Sequence, residues 1–167
     1  MSRVAAILLA LTTGACASTG AVPRPFPTPG IPPAQLALPI VPAGVPAGDA
    51  IAGTALSLRG VSYRNGGSDP TGFDCSGFVS YVFAQHGVPV PRAVADQYRA
   101  GSGVDSSDLR AGDLVFFDTT GAGASHVGIS IGGDEFVHAP STSGEVRVER
   151  LGTSYWTRRF LGARRLM

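Results

Sequence analysis

Lysine is missing altogether from these 167 residues; all thirteen cationic side chains are arginine. Charged residues make up only 15% of the chain, and the formal net charge is +1. A nucleic-acid binder carries a basic stripe. Here the arginines are scattered, so no nucleic-acid partner is expected. The one local cluster, Arg158, Arg159, Arg164 and Arg165, reads as a solvated strand end. Cysteine is nearly as scarce, with only Cys16 and Cys75. The N-terminal apolar run at 4–11 has eight residues, far short of the ~20 that a membrane-spanning helix needs.

That run instead has the form of a targeting segment over residues 1–17. Arg3 supplies the positive start, and small residues follow the apolar stretch. Gly14-Ala15-Cys16 is similar to a bacterial lipobox, in which Cys16 is lipidated and becomes the new N-terminus. Ala15-Cys16-Ala17 equally fits an ordinary secretory cleavage site. The lipobox usually carries Leu where this chain has Thr13. The lipid reading is preferred, because a cysteine so close behind the apolar run has few other uses. The expectation is an exported protein of the cell envelope, held to a membrane by an N-terminal lipid or otherwise secreted. In both cases Cys75 is the sole thiol of the mature chain. An unpaired cysteine in an exported protein points to a reactive thiol; the alternative is a buried cysteine acting as a small apolar residue.

Nine of the thirteen prolines lie between Pro23 and Pro46. Proline lacks the amide N–H and restricts the residue before it, so residues 18–48 read as an extended tether. The folded domain is expected over 49–167. Asp49 is placed to cap a helix over 50–58, a polar, Gly-rich loop fills 61–73, a second helix spans 75–86, and a short third lies near 93–100. Strand-like alternation follows at 113–118, 126–131, 135–139, 145–150 and 159–165. Helices first and antiparallel strands after give an α+β class, with helices packed on one sheet.

Cys75 falls in the first turn of the second helix. Unpaired N–H groups and a partial positive charge there favour a thiolate and an oxyanion. Asp74 fits as the helix cap, or as a partner for a substrate ammonium. Of the three histidines, His86 closes the same helix about three turns from Cys75, too far to serve it. His126 and His138 lie on consecutive strands joined by Gly132-Gly133-Asp134, a hairpin signal. A loop with an odd number of residues sets Gly128 opposite His138 and puts His126 on the same face. A one-residue slip would separate the rings. With the first register, Cys75 is a nucleophile, His126 its base and His138 the residue that orients the base. Zinc on the same three side chains is disfavoured, since a helix start repels cations. No metal or cofactor is expected.

The ordered pieces Tyr63-Arg64-Asn65-Gly66-Gly67, Phe73-Asp74-Cys75-Ser76-Gly77-Phe78-Val79, Pro91-Arg92 with Gln97, Gly112-Asp113-Leu114-Val115-Phe116-Phe117, His126-Val127-Gly128-Ile129 and Phe136-Val137-His138-Ala139 resemble the NlpC-type cysteine peptidases. The resemblance runs from Tyr63 to Arg165. It implies a papain-like fold with helices packed on a five- to six-stranded antiparallel sheet. It also implies peptidoglycan as substrate, Cys75, His126 and His138 as the catalytic set, Tyr63 at the oxyanion or substrate, and Asp74 and Ser76 against the peptide. Ser130 stands where many members have Tyr. The plan of signal, short linker and one domain is similar to small lipoprotein endopeptidases, and a monomer is expected. The bond the resemblance points to first is γ-D-glutamyl–diaminopimelate, and some small lipoproteins cut the D-alanyl crosslink instead. An amidase or acyltransferase on the same scaffold, or a non-catalytic envelope lipoprotein, remains open from sequence.

Overall fold

Small and apolar residues spaced along one side give the first helix its buried stripe. In the computed structural model, which describes residues 47–167, α1 spans Ala47–Ser57 and buries Ile51, Ala52 and Ala55. It starts earlier than expected, so Asp49 lies in the first turn, near the helix's positive end, and does not form the cap. The helix packs closely at Gly48: a Cβ there would lie 2.1 Å from the Ala111 carbonyl oxygen, so only glycine fits. The targeting segment, Cys16 and the Pro-rich stretch through residue 46 lie outside the described residues.

The loop expected at 61–73 holds a small hairpin, β1 (Ser68–Asp69) and β2 (Gly72–Phe73). Helix α2 (Cys75–Ala84) follows and buries Phe78, Val79, Val82 and Phe83. The third helix is a single turn, α3 (Val94–Gln97). The main sheet has six antiparallel strands: β3 (Ser102–Val104), β4 (Leu114–Phe117), β5 (His126–Gly132), β6 (Glu135–His138), β7 (Arg147–Arg150) and β8 (Phe160–Arg165). Their spatial order is β3-β8-β4-β5-β6-β7. Strand β3 escapes sequence reading because Ser-Gly-Val carries no alternation; pairing with β8 makes it a strand.

Alternation divides the sheet into two packed faces. Leu114, Phe116, Val127, Ile129 and Val137 join the apolar residues of α1 and α2 in one cluster. Val115, Phe117, Phe136 and Ala163 form the other with Trp156, which sits on the short helix α4 (Ser154–Thr157). Six phenylalanines are fully buried across the two clusters. Each contributes roughly 1.5–3 kcal/mol by leaving water, and together they fix the sheet that carries both strand histidines.

Strands β5 and β6 pair Ile129 with Val137 and Ser130 with Phe136, then shift register by one residue near Gly132. The turn itself has two residues, Gly133 and Asp134, where an odd loop was expected; the one-residue shift before Gly132 supplies the same outcome and sets Gly128 opposite His138. A Cβ at Gly128 would lie 2.6 Å from the Phe136 ring, 3.0 Å from the Val137 carbonyl oxygen and 3.2 Å from the His138 Cβ. Gly128→Ala should therefore push β6, with His138, away from β5, costing about 1–3 kcal/mol in urea unfolding. Unchanged stability would mean that β6 tolerates the methyl group.

Candidate active site

Asp74 ends the loop before α2 in an extended conformation, and its Oδ1 accepts from the Gly77 N–H at 2.7 Å. It is the helix cap. Its other oxygen pairs with Arg92, whose Nη1 also donates to Ser76 Oγ at 2.7 Å. Burial raises the Asp74 carboxyl, but Arg92 and the Gly77 and Ser76 donors outweigh it and hold the group below the usual carboxylate range. The Gly67 carbonyl accepts from the Asp74 N–H at 3.0 Å. A Cβ on Gly77 would lie 2.0 Å from that carbonyl oxygen, so the loop can close on the helix only over glycine. Ser76 is buried, and its carbonyl accepts from Gln97 Nε2 at 3.1 Å. Its hydroxyl is thus engaged between Asp74 and Arg92.

Cys75 opens α2 as a half-buried free thiol. The backbone amides of Ser76, Val127 and Cys75 itself act on the thiol to lower its pKa. Val127 is the residue after His126, so the start of α2 abuts the start of β5. Those amides favour the thiolate, as a helix start should. Burial, followed by the charge of Asp74, outweighs them, and the thiol is pushed up. This corrects the expectation from sequence of a lowered thiol pKa: the resting group is Cys75–SH. Tyr63 is bridged to Phe73 beside the same helix start, and burial and then the nearby charges of Cys75 and Asp74 raise its phenol.

The histidines are the most enclosed part of the site. His126 is 8% exposed and His138 is fully buried. Their rings meet nearly at right angles, with His126 Nε2 2.7 Å from His138 Nδ1. Trp156 stacks on His126 and meets His138 edge-on. Burial lowers His126 to about 4. Burial, then the charges of His126 and Arg147, lower His138 to about 2. Both rings are neutral at pH 7. The contact between them uses one nitrogen of each ring, His126 Nε2 and His138 Nδ1, and leaves His126 Nδ1 outside it.

The structure thus gathers Tyr63, Asp74, Cys75, Ser76, His126 and His138 around the α2 start and the β5–β6 hairpin. His86 is elsewhere. Its Nε2 lies 2.8 Å from Thr54 Oγ1 on α1. Arg92, Gln97 and Trp156 had no role assigned from sequence. Arg92 and Gln97 stand in the quoted motif; Trp156, the chain's single tryptophan, carried no local signal.

The NlpC/P60 family model matches residues 60–165. The chain belongs to the NlpC/P60 family. The Escherichia coli (strain K12) protein named murein DD-endopeptidase MepS/murein LD-carboxypeptidase is 44% identical over 110 residues, covering 65% of this chain and 57% of that protein. The Bacillus subtilis (strain 168) gamma-DL-glutamyl hydrolase is 37% identical over 120 residues, covering 70% of this chain and 29% of that protein. The NlpC/P60 domain of the peptidoglycan hydrolase SagA superposes with a TM-score of 0.62 at 37% identity, covering 71% of this chain and 97% of that domain. The fold is the papain-like α+β arrangement of the NlpC/P60 structures. The chain spans about half the length, or less, of the curated relatives named here.

Proposed function

We propose that this NlpC/P60 protein is a peptidoglycan hydrolase that cuts a peptide bond in cell-wall stem peptides or crosslinks through an acyl-enzyme on Cys75. The observation that carries the reading is the site itself. A thiol opens the helix that packs on β5, the strand His126 begins, and His126 Nε2 lies 2.7 Å from His138 Nδ1. The names of the family relatives support the substrate class.

The geometry supports general-base attack. Neutral His126 takes the Cys75 proton at Nδ1 as the sulfur bonds to the scissile carbonyl carbon. The oxyanion falls to the amides at the α2 start and to the Tyr63 hydroxyl. His126 then passes its proton to the leaving amine, and the C–N bond breaks to give the thioester. Water, deprotonated by His126, attacks the thioester and frees Cys75. His138 holds the His126 ring. The pair of Asp74 and Arg92, with Ser76 between them, faces the peptide.

For the bond, the resemblance found in sequence points to γ-D-glutamyl–diaminopimelate, and the Bacillus relative's name is consistent with a γ-glutamyl bond and says no more. A second reading, the D-alanyl crosslink, is favoured by the MepS relative at higher identity. Mass spectrometry of muropeptides after digestion of purified sacculi separates them. Loss of crosslinked dimers with intact stems supports crosslink cleavage, and dipeptide-truncated stems support the glutamyl bond. An unchanged muropeptide profile would favour an amidase or acyltransferase on another substrate, or a non-catalytic envelope protein. Export, the lipid on Cys16 and a monomeric state are part of the same proposal. Labelled palmitate incorporated by the parent and lost in Cys16→Ala tests the anchor. Among the described residues no helix is long and apolar enough to cross a membrane.

A further inference from the structure

The bond between the two histidines can be made in two ways. His138 can donate from Nδ1 to His126 Nε2, or His126 can donate from Nε2 to His138 Nδ1. In the first case neutral His126 carries its proton on Nδ1 and cannot accept one from Cys75. Only the second arrangement leaves His126 Nδ1 free as a base. That arrangement has a consequence at the far side of His138, whose proton must then sit on Nε2.

His138 Nε2 is fully buried and has no hydrogen-bond partner. A buried donor left in that state costs about 1–3 kcal/mol. Nothing within the pair itself therefore favours the productive tautomer. The charge nearby does. Glu149 Oε1 lies 3.7 Å from His138 Nε2. This is longer than a hydrogen bond but close enough for a carboxylate to attract an N–H over a lone pair.

The carboxylate is held in place. Glu149 lies on β7 opposite Phe136, and Arg147 lies opposite His138, so period-2 alternation turns all four toward the Trp156 face. The Trp156 indole N–H donates to Glu149 Oε2, which leaves Oε1 toward the histidine. Arg147 Nε approaches the same Oε1 to 3.5 Å. The indole thus stacks on the base and also orients the carboxylate behind it.

We propose that Glu149 is a positioning residue that selects the productive tautomer of the His126–His138 pair, extending the line Cys75–His126–His138 to a fourth member. The inference rests on the hydrolase reading above for its catalytic meaning. When His126 becomes an imidazolium during attack, the Glu149 charge also stabilises it through the His138 ring.

The test uses the full chain labelled with ¹⁵N-histidine, as the parent and as Glu149→Gln. In the parent at pH 7, His138 should be protonated on Nε2 and unprotonated on Nδ1, with His126 Nδ1 also unprotonated. In Glu149→Gln the ¹⁵N shifts should move toward a tautomer mixture. Peptide release from sacculi should fall about tenfold in kcat with KM little changed, the scale of losing an outer partner of a functional histidine. A parent with the proton on His138 Nδ1 would overturn the proposal. So would a folded Glu149→Gln with unchanged shifts and kcat within twofold of the parent. If the variant does not fold, the parent's tautomer still decides. A parent that releases no peptide sinks the hydrolase reading, and the ¹⁵N shifts then judge the role of Glu149 alone.

Discussion

Cys75→Ala should abolish peptide release from purified sacculi, by about 10⁴-fold or more, while the unfolding transition stays close to that of the parent. The size follows from the chemistry: without the sulfur no thioester forms, and only binding and the oxyanion donors remain. The stability should hold because Cys75 is half-buried and unpaired, so its removal leaves neither a large cavity nor an orphaned charge. His126→Ala should fall to a similar level, because members of one catalytic unit are not additive. Release by Cys75→Ala at the parent's rate would require a different nucleophile.

The second large effect is on stability, and it concerns the two histidines of the proposed site. A free imidazole titrates at 6.5, whereas His126 is held at about 4 and His138 at about 2. Both are lowered chiefly by burial. Between pH 6.5 and 4 the unfolded chain takes up protons that the folded chain excludes, so stability falls as the pH falls. The loss begins at the unfolded value and is complete for each ring only at its folded value. For His126 alone it amounts to about 3 kcal/mol by pH 4. His138 adds in the same direction, as does His86, lowered by burial beside Thr54. Asp74 works lower down. Its depressed carboxyl contributes stability that is lost only as the pH drops through 3.8 and below. The window from 6.5 to 4 thus belongs to the histidines. Urea unfolding at intervals across it should show a steady decline, flattened in His126→Gln. A constant unfolding free energy over that range would mean that the rings already exchange protons in the folded state.

The same burial shapes the catalytic step. With the thiol pushed up and both imidazoles neutral, the resting site holds its proton on sulfur. His126 is then available as an acceptor throughout the neutral range, and the acid limb of kcat/KM should lie well below pH 6.

Much of this was legible in the residues. Asp74 before Cys75 marked both a cap and a helix start, because a short acceptor side chain and an unpaired amide are neighbours in sequence. The Gly132-Gly133-Asp134 stretch marked the hairpin, but not its register: the turn has two residues, and a one-residue shift before Gly132 brings His126 and His138 to one face. What escaped depends on contacts between distant segments. Strand β3 exists only through β8. The need for glycine at position 48 comes from the Ala111 carbonyl, distant in sequence. The direction of the Cys75 shift could not be read either, since burial comes from the whole packed domain and the favourable amides come from the local helix. Trp156 and Glu149 reach the histidines from α4 and β7 across the second face of the sheet, and no local pattern announces that approach.

The most direct measurement is intact-protein mass spectrometry after rapid acid quench of the protein with soluble muropeptides. The account predicts a transient adduct with the mass of an acyl stem fragment. It should map to Cys75, be absent from Cys75→Ala, and disappear as free peptide accumulates. Full product formation with no adduct at Cys75, and the same product from Cys75→Ala, would contradict it.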